Sequence, residues 1–146
     1  MTGVPTTDPA LGPRLHHVGY VVPNMAGGIR RFEEAGAILL VGPTDDPGLG
    51  VACALLRLPE GVDVELVSPL PDIESPITSR LRRGGGLDHL CFWVDDLDAS
   101  IAHELENDAM LLVEPSHAVT FDTTVAFVQR RGGLVVELMG VRRDAE

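Results

Sequence analysis

The chain contains an internal repeat, and this repeat constrains the fold more than any other feature. Residues 15–68 align without a gap on residues 87–140, and 15 of the 54 aligned positions are identical. The identities include Leu-Leu-Val at residues 39–41 and Val-Glu-Leu at residues 64–66. Such a match indicates that one structural unit has been duplicated within the chain.

Both halves predict the same order of elements, which is a strand, a helix and three further strands. The first helix is expected at 25–35 and the second at 96–108, where Asp96 or Asp98 is suited to cap it. β-branched and aromatic residues predict strands, which we place at 15–22, 37–41, 51–58, 62–68, 87–94, 110–114, 124–130 and 134–140. Two equivalent long loops, at 44–50 and 116–122, are expected to shape any pocket.

The repeat predicts an α+β fold made of two tandem βαβββ modules in a single domain, residues 15–146. Module one covers 15–68 and module two covers 87–141. The linker, 69–86, contains a segment that favours a short helix at 75–83. Residues 1–14, rich in Pro, Thr and Gly, read as a flexible lead.

Two pairs of polar residues coincide under the repeat. His17 aligns on His89 and Glu65 aligns on Glu137, so histidine and glutamate are equally spaced in the two halves. Strand alternation places each glutamate on the face opposite to the apolar residues that would pack under a helix. A charged side chain within an apolar strand is costly unless it is paired or bound to a metal ion. We therefore predict that these four residues bind one metal ion per chain.

The ligand types narrow the choice of metal. Imidazole nitrogen and carboxylate oxygen suit a divalent Co, Mn, Ni, Fe or Zn ion and exclude a thiolate-type structural zinc site. Four ligands leave two octahedral positions for an oxygen-bearing substrate. The alternative is a pair of solvated glutamates with hydrogen-bonded core histidines. His16 is a rival ligand expected on the convex face, His103 is expected at the surface, and His117 is a candidate for lining the site.

Paired βαβββ modules that carry His and Glu in the order His…Glu…His…Glu resemble the vicinal oxygen chelate superfamily. Within it, five segments are most similar to the methylmalonyl-CoA epimerase-like members: HHVGYVVPNM, VELVSPL, SPI, GGGLDHLCFWVDDLDASI and GGLVVELMG. The resemblance implies a cupped mixed sheet with the metal inside and the helices on the convex face. It also assigns the family's metal positions to His17, Glu65, His89 and Glu137.

The same resemblance implies a metal-dependent epimerase or isomerase that acts on a small carbonyl or acyl-thioester substrate through a metal-stabilised enolate. Glu137 and Glu65 are the candidate bases, because the loop glutamate of the epimerases falls on Gly48 here. Asp45, Asp46, His117 and Asp122 are alternative bases on the loops. Together with Trp93 they are the remaining candidate pocket residues. The alternatives are a lyase, cyclising enzyme or oxygenase of secondary metabolism on the same fold, and a drug-binding resistance protein.

Composition limits the partners and the compartment. The chain has 11 Lys+Arg against 22 Asp+Glu, a net charge of −11, which disfavours nucleic acid and anionic membranes. It contains no apolar run long enough to cross a bilayer and starts without a signal-peptide pattern, which predicts a cytoplasmic protein. Cys53 and Cys91 are expected to be buried free thiols. Because the modules leave sheet edges exposed, we expect a homodimer.

Overall fold

The computed structural model describes residues 13–73 and 75–141, so residues 1–12 of the expected lead lie outside the described residues. The strands are β1 Arg14–Val21, β2 Ile38–Asp46, β3 Val51–Arg57, β4 Asp63–Pro69, β5 Gly86–Val94, β6 Met110–Ala118, β7 Thr123–Gln129 and β8 Val135–Gly140. The helices are α1 Met25–Glu34, α2 Thr78–Arg82 and α3 Leu97–Glu106. The element order is therefore βαβββ, a short helix, and βαβββ again.

Within the described residues the eight strands form one mixed sheet in the order β2-β3-β4-β1-β5-β8-β7-β6. β1 pairs with β4 in parallel and β5 pairs with β8 in parallel, while β1 and β5 meet antiparallel at the centre. This arrangement confirms the predicted α+β class. It also places the first and the last strand of each module side by side in the middle of the sheet.

The two long helices pack on one face of the sheet. Asn24 caps α1 by accepting a hydrogen bond from the Gly27 amide at 2.7 Å. Asp96, not Asp98, caps α3 by accepting one from the Ala99 amide at 3.1 Å. Under α1 lie apolar residues of β3 and β4, which are Ala54, Leu56, Val64 and Leu66. Under α3 lie residues of β7 and β8, which are Ala126, Val128, Val136 and Leu138.

The outer strands are longer than the sequence predicts. The expectation that the second strand of each module ends before Pro43 or Pro115 is wrong, because β2 continues to Asp46 and β6 to Ala118. Both prolines lie at register shifts on the edges of the sheet, where a missing amide hydrogen costs little. The expected long loops therefore shorten to the turns at 47–50 and 119–122.

Two further expectations from the sequence concern membrane-spanning segments and the two cysteine thiols. No helix among residues 13–73 and 75–141 is long and apolar enough to cross a membrane. Cys53 and Cys91 are buried and free, as predicted. Both lie on the face of the sheet opposite to α1 and α3, where they pack in separate apolar clusters.

Candidate metal centre

Four neighbouring strands, β4, β1, β5 and β8, each contribute one of the predicted ligands to the face opposite the helices. These residues are Glu65, His17, His89 and Glu137, in the order of the strands. They are 5%, 0%, 5% and 3% exposed, in the same order. Their ligand atoms all lie within 4.8 Å of one another.

The strand register explains why the four side chains converge. Glu65 of β4 pairs with Gly19 of β1, which pairs with His89 of β5. One row along, His17 of β1 pairs with Cys91 of β5, which pairs with Glu137 of β8. Each row therefore holds one glutamate and one histidine with a small residue between them, and the repeat relates the two rows.

Gly19 makes room for one of the imidazoles. A Cβ atom added at this position would lie 2.1 Å from Cε1 and 2.3 Å from Nδ1 of the His89 ring. The ring of His89 therefore lies directly over the backbone of β1. Any side chain at residue 19 would displace it.

The ligand atoms surround a single point. Nε2 of His17 lies 3.2 Å from Oε1 of Glu65 and 3.2 Å from Oε1 of Glu137. Nε2 of His89 lies 3.4 Å and 3.1 Å from the same two oxygens. Each carboxylate thus presents one oxygen to both histidines, as expected of donors that share a central cation.

The hydrogen bonding of His89 fits a metal ligand. Although its Nε2 is close to both carboxylates, it is buried and has no hydrogen-bond partner of acceptable geometry among the described residues. A buried polar atom without a partner is rare and requires an explanation such as an ion. The donor set of two imidazoles and two carboxylates suits a first-row divalent metal ion. The residues present therefore fit the metal that the sequence predicts.

Without a metal ion the four groups form a charged network. Burial alone would lower the pKa of His17, but its contacts with Glu137 and Glu65 outweigh burial and raise the pKa to about 9. Burial also opposes protonation of His89, yet Asp88 and the two glutamates raise its pKa well above the usual value. The histidines in turn lower the pKa of Glu65 and Glu137 against the effect of burial. The two imidazoles and the two carboxylates therefore stabilise one another's charged forms.

The second ring nitrogen of each histidine also has a partner. Nδ1 of His89 lies 2.8 Å from Oδ2 of Asp88, and Nδ1 of His17 lies 2.8 Å from Nδ1 of His16. The expectation that His16 lies on the convex face is wrong. Its ring contacts the rings of His17 and Phe121, at centroid distances of 5.1 and 5.3 Å, and Phe121 lines the cavity beside the ligands.

A cavity of about 350 Å³ opens onto the candidate ligands. Glu65, His89 and Glu137 lie in its wall, together with Thr120, whose hydroxyl group is buried without a hydrogen-bond partner among the described residues. Most of the remaining wall is apolar and includes Leu49, Val67, Ile77, Leu112, Phe121 and Phe127. The cavity thus combines a polar floor with a largely hydrophobic wall, as is common for small-molecule sites.

Asp46 connects the two outer ends of the sheet. It is 2% exposed and lines the cavity. Its Oδ2 accepts a hydrogen bond from the Val119 amide at 3.0 Å, and its Oδ1 accepts one from the Leu49 amide at 3.2 Å. Because β2 and β6 are the opposite edges of the sheet, the bond to Val119 shows how far the sheet curls around the cavity.

The other predicted pocket residues do not reach this cavity. Asp45 is exposed, because it alternates with buried Asp46 along β2. His117 and Asp122 lie 3.4 Å apart in an exposed pair at the β6–β7 turn. Trp93 lines a different cavity, of about 540 Å³, between β5 and α3.

The sequence did not identify three residues beside the candidate centre, namely Gly19, Asp88 and Phe121. The repeat does align Gly19 on Cys91, so a small residue at both positions was a detectable signal. Asp88 aligns on His16, which marks both positions as polar neighbours of a ligand. Phe121 belongs to a turn, and nothing in the local pattern indicates that its ring would stack on His17 at 5.1 Å.

Comparisons with known proteins agree with the fold of this chain. An ethylmalonyl-CoA/methylmalonyl-CoA epimerase of Cereibacter sphaeroides is 32% identical over 89 residues, which are 60% of this chain and 65% of that protein. The chain therefore spans slightly less than two thirds of that relative's length. The mitochondrial methylmalonyl-CoA epimerase of Bos taurus is 27% identical over 142 residues, covering 91% of this chain and 80% of that protein.

Structural similarity extends over most of the chain. The crystal structure of methylmalonyl-CoA epimerase from Mycobacterium tuberculosis superposes with a TM-score of 0.74 at 26% identity, and 89% of each chain is covered. The sequence signature of the Glyoxalase/Bleomycin resistance protein/Dioxygenase superfamily matches residues 16–127, a range that contains three of the four candidate ligands. The chain belongs to this superfamily.

Proposed function

We propose that the protein is a divalent-metal-dependent epimerase or isomerase that moves a proton at the carbon next to a carbonyl or thioester group. The observation that carries this proposal is the convergence of two buried imidazole nitrogens and two buried carboxylate oxygens on one point. This point lies at the floor of a cavity large enough for a small acyl group.

The residues that would hold the ion are His17, Glu65, His89 and Glu137. A divalent ion bound there supplies a Lewis acid that stabilises negative charge on a substrate oxygen, which is worth several kcal/mol. The two carboxylates balance the charge of such an ion. Each carboxylate lies beside both imidazoles, and Glu65, His89 and Glu137 line the cavity, so the substrate would reach the centre from the cavity side.

An acyl-thioester is the substrate class we favour. The two curated relatives bear the names of epimerases of ethylmalonyl-CoA and methylmalonyl-CoA. The cavity wall supports an acyl substituent, because Leu112, Phe121 and Phe127 offer apolar contact beside the candidate ligands. Burying such a group contributes about 25 cal/mol for each Å² of apolar surface removed from water.

Glu137 is our candidate for the proton-transferring base. The resemblance to the epimerases places their loop glutamate at Gly48 of this chain, so we assign the task to a carboxylate of the metal centre. Glu137 lies in the cavity wall. Asp46 also lines the cavity, but each of its oxygens already accepts a backbone amide hydrogen bond. A general base contributes about 10²- to 10⁴-fold to the rate.

Three variants separate metal binding from proton transfer. Purified protein loaded with Co²⁺ or Mn²⁺ should bind about one ion per chain. His17→Ala removes a ligand and should weaken binding strongly. Glu137→Gln and Glu65→Gln keep an amide oxygen for the metal but lose the basic carboxylate, and we expect Glu137→Gln to retain metal while losing about 10²-fold or more in rate.

The assay is incorporation of solvent deuterium at the acidic carbon of methylmalonyl-CoA and ethylmalonyl-CoA, followed by mass spectrometry. Exchange by the parent protein, lost in Glu137→Gln, is the expected result. If both glutamine variants exchange as fast as the parent while holding metal, Glu137 is not the base. If the parent binds no divalent ion under any loading condition, the proposed function fails as a whole.

A further inference from the structure

The residue that precedes each candidate histidine lies on the same side of the sheet as that histidine. In a regular strand neighbouring side chains point to opposite faces, so adjacent residues cannot contact one another in this way. Here the His16 and His17 rings nevertheless meet through their Nδ1 atoms at 2.8 Å, and the Asp88 carboxylate meets the His89 Nδ1 at the same distance. Something must break the alternation at both places.

The break is a shift of register between β1 and β5. Leu15 pairs with Phe92 but His17 pairs with Cys91, so His16 is an extra residue on β1. Further along, Gly19 pairs with His89 but Tyr20 pairs with Leu87, which leaves Asp88 as the extra residue on β5. A bulge bends the strand and redirects a side chain, and bulges are frequent beside active sites.

The two bulges are equivalent under the internal repeat. In the gapless alignment of the two halves, His16 falls on Asp88 just as His17 falls on His89. The fold therefore places a β-bulge immediately before each candidate histidine, although the extra residue is His16 in one module and Asp88 in the other. This equivalence argues against two unrelated irregularities.

We propose that His16 and Asp88 are positioning residues that each accept the Nδ1 hydrogen of the following histidine and thereby direct its Nε2 toward the metal. The proposal rests on the metal centre described under the proposed function. A carboxylate accepts but does not donate, so at 2.8 Å the His89 ring must be the donor. When Nε2 of His17 binds an ion, its Nδ1 carries the hydrogen and His16 is the acceptor.

The two acceptors differ in strength. A hydrogen bond to a carboxylate is roughly twice as strong as one between neutral groups, so Asp88 holds His89 more firmly than His16 holds His17. Loss of such a partner typically costs about 10- to 100-fold in metal affinity. We therefore expect a larger loss of affinity in Asp88→Ala than in His16→Ala.

The test measures Co²⁺ affinity by competition with a chromophoric chelator, together with the visible absorption spectrum of the bound Co²⁺. Asp88→Ala should weaken binding about 10- to 100-fold and alter the spectrum. Asp88→Asn keeps a carbonyl oxygen that can accept the same hydrogen bond, so it should restore part of the affinity. Asp45→Ala and His103→Ala change a carboxylate and an imidazole away from the centre and should leave both readouts unchanged.

Unfolding of the metal-free proteins completes the experiment. A purely structural role would lower the stability of Asp88→Ala while leaving Co²⁺ affinity and spectrum as in the parent, and that result would overturn the proposal. The parent serves as the reference for the metal centre itself. If the parent binds no Co²⁺, the proposed function fails, whereas parent binding with unaffected variants rejects only the positioning role.

Discussion

At the residue scale, the candidate centre depends as much on a missing side chain as on the ligands. Gly19 lies between Glu65 and His89 in the register, and the His89 ring occupies the space where its Cβ would be. The backbone of β1 is held by hydrogen bonds to strands on both sides. If residue 19 had a Cβ atom, the His89 ring would therefore have to move.

Gly19→Ala should abolish high-affinity metal binding without unfolding the protein. The new methyl group would force the His89 ring off its position, because a contact near 2.1 Å is impossible. Calorimetric titration with Co²⁺ measures the loss. Gly48→Ala is the matched control, since an added Cβ there meets no atom closer than 3.5 Å. Equal affinity in Gly19→Ala and the parent would contradict the arrangement of the site.

Metal affinity should rise with pH up to about 9, because in the metal-free protein the pKa of His17 is raised to about 9. The pKa of His89 is also raised, so protonation of both rings competes with binding of a metal ion. An ion needs the free Nε2 lone pair, so binding must release these protons. Titrations at neutral pH in two buffers with different ionisation enthalpies should give different heats. Identical heats would show that no proton leaves.

At the element scale, the curl of the sheet is secured by a bond between its two edges. Asp46 ends β2, and it accepts a hydrogen bond from Val119, which follows β6. The same carboxylate accepts from Leu49 in the β2–β3 turn. Both turns contribute to the cavity wall through Leu49, Thr120 and Phe121.

Asp46→Ala should destabilise the fold by about 1–3 kcal/mol, because two backbone amides lose their acceptor at a buried position. Urea unfolding followed by circular dichroism gives the change in free energy. Limited proteolysis should show faster cleavage in the turns at 47–50 and 119–122. Asp45→Ala, at the exposed neighbour, should change the free energy of unfolding by less than about 0.5 kcal/mol. The same stability for both variants would show that the bond between the edges contributes little.

At the scale of the whole molecule, the sheet ends in two strands whose outer sides have no partner among the described residues. β2 and β6 carry exposed apolar residues at equivalent positions of the repeat. Ile38 is 65% exposed on β2 and Met110 is 60% exposed on β6. Unpaired edges with apolar side chains favour association with another chain.

We predict a homodimer in solution. Light scattering at micromolar concentration should give the parent about twice the mass of one chain, which is 15.6 kDa. A double variant, Ile38→Lys with Met110→Lys, should shift the protein toward the monomer, since charged residues on an edge oppose pairing. Leu134→Lys alters another exposed apolar residue and serves as the control. A parent that keeps the mass of a single chain at all concentrations would refute the dimer.

The sequence by itself determined those features of the protein that follow from its periodicity. The internal repeat and the alternation of side chains along strands were enough to predict the α+β class, the inward face of Glu65 and Glu137, and the convergence of the four candidate ligands. These features follow from local chain geometry, which each segment carries wherever it lies. Pro43 and Pro115 led to wrong predictions of where β2 and β6 end. The free-energy cost of a proline in a strand depends on whether that strand lies at the edge of a sheet, which the local sequence does not show.

What only the tertiary structure decided is the register between strands distant along the chain. The bulges at His16 and Asp88 exist only because β1 pairs with β5, the first strand of the other module, and they bring to the ligand face two residues that alternation assigns to the opposite face. The burial of Asp46 likewise requires the sheet to curl until the end of β2 comes within hydrogen-bond distance of the turn that follows β6. A pattern read along one strand contains no information on these pairings, because they depend on how the two modules fit together.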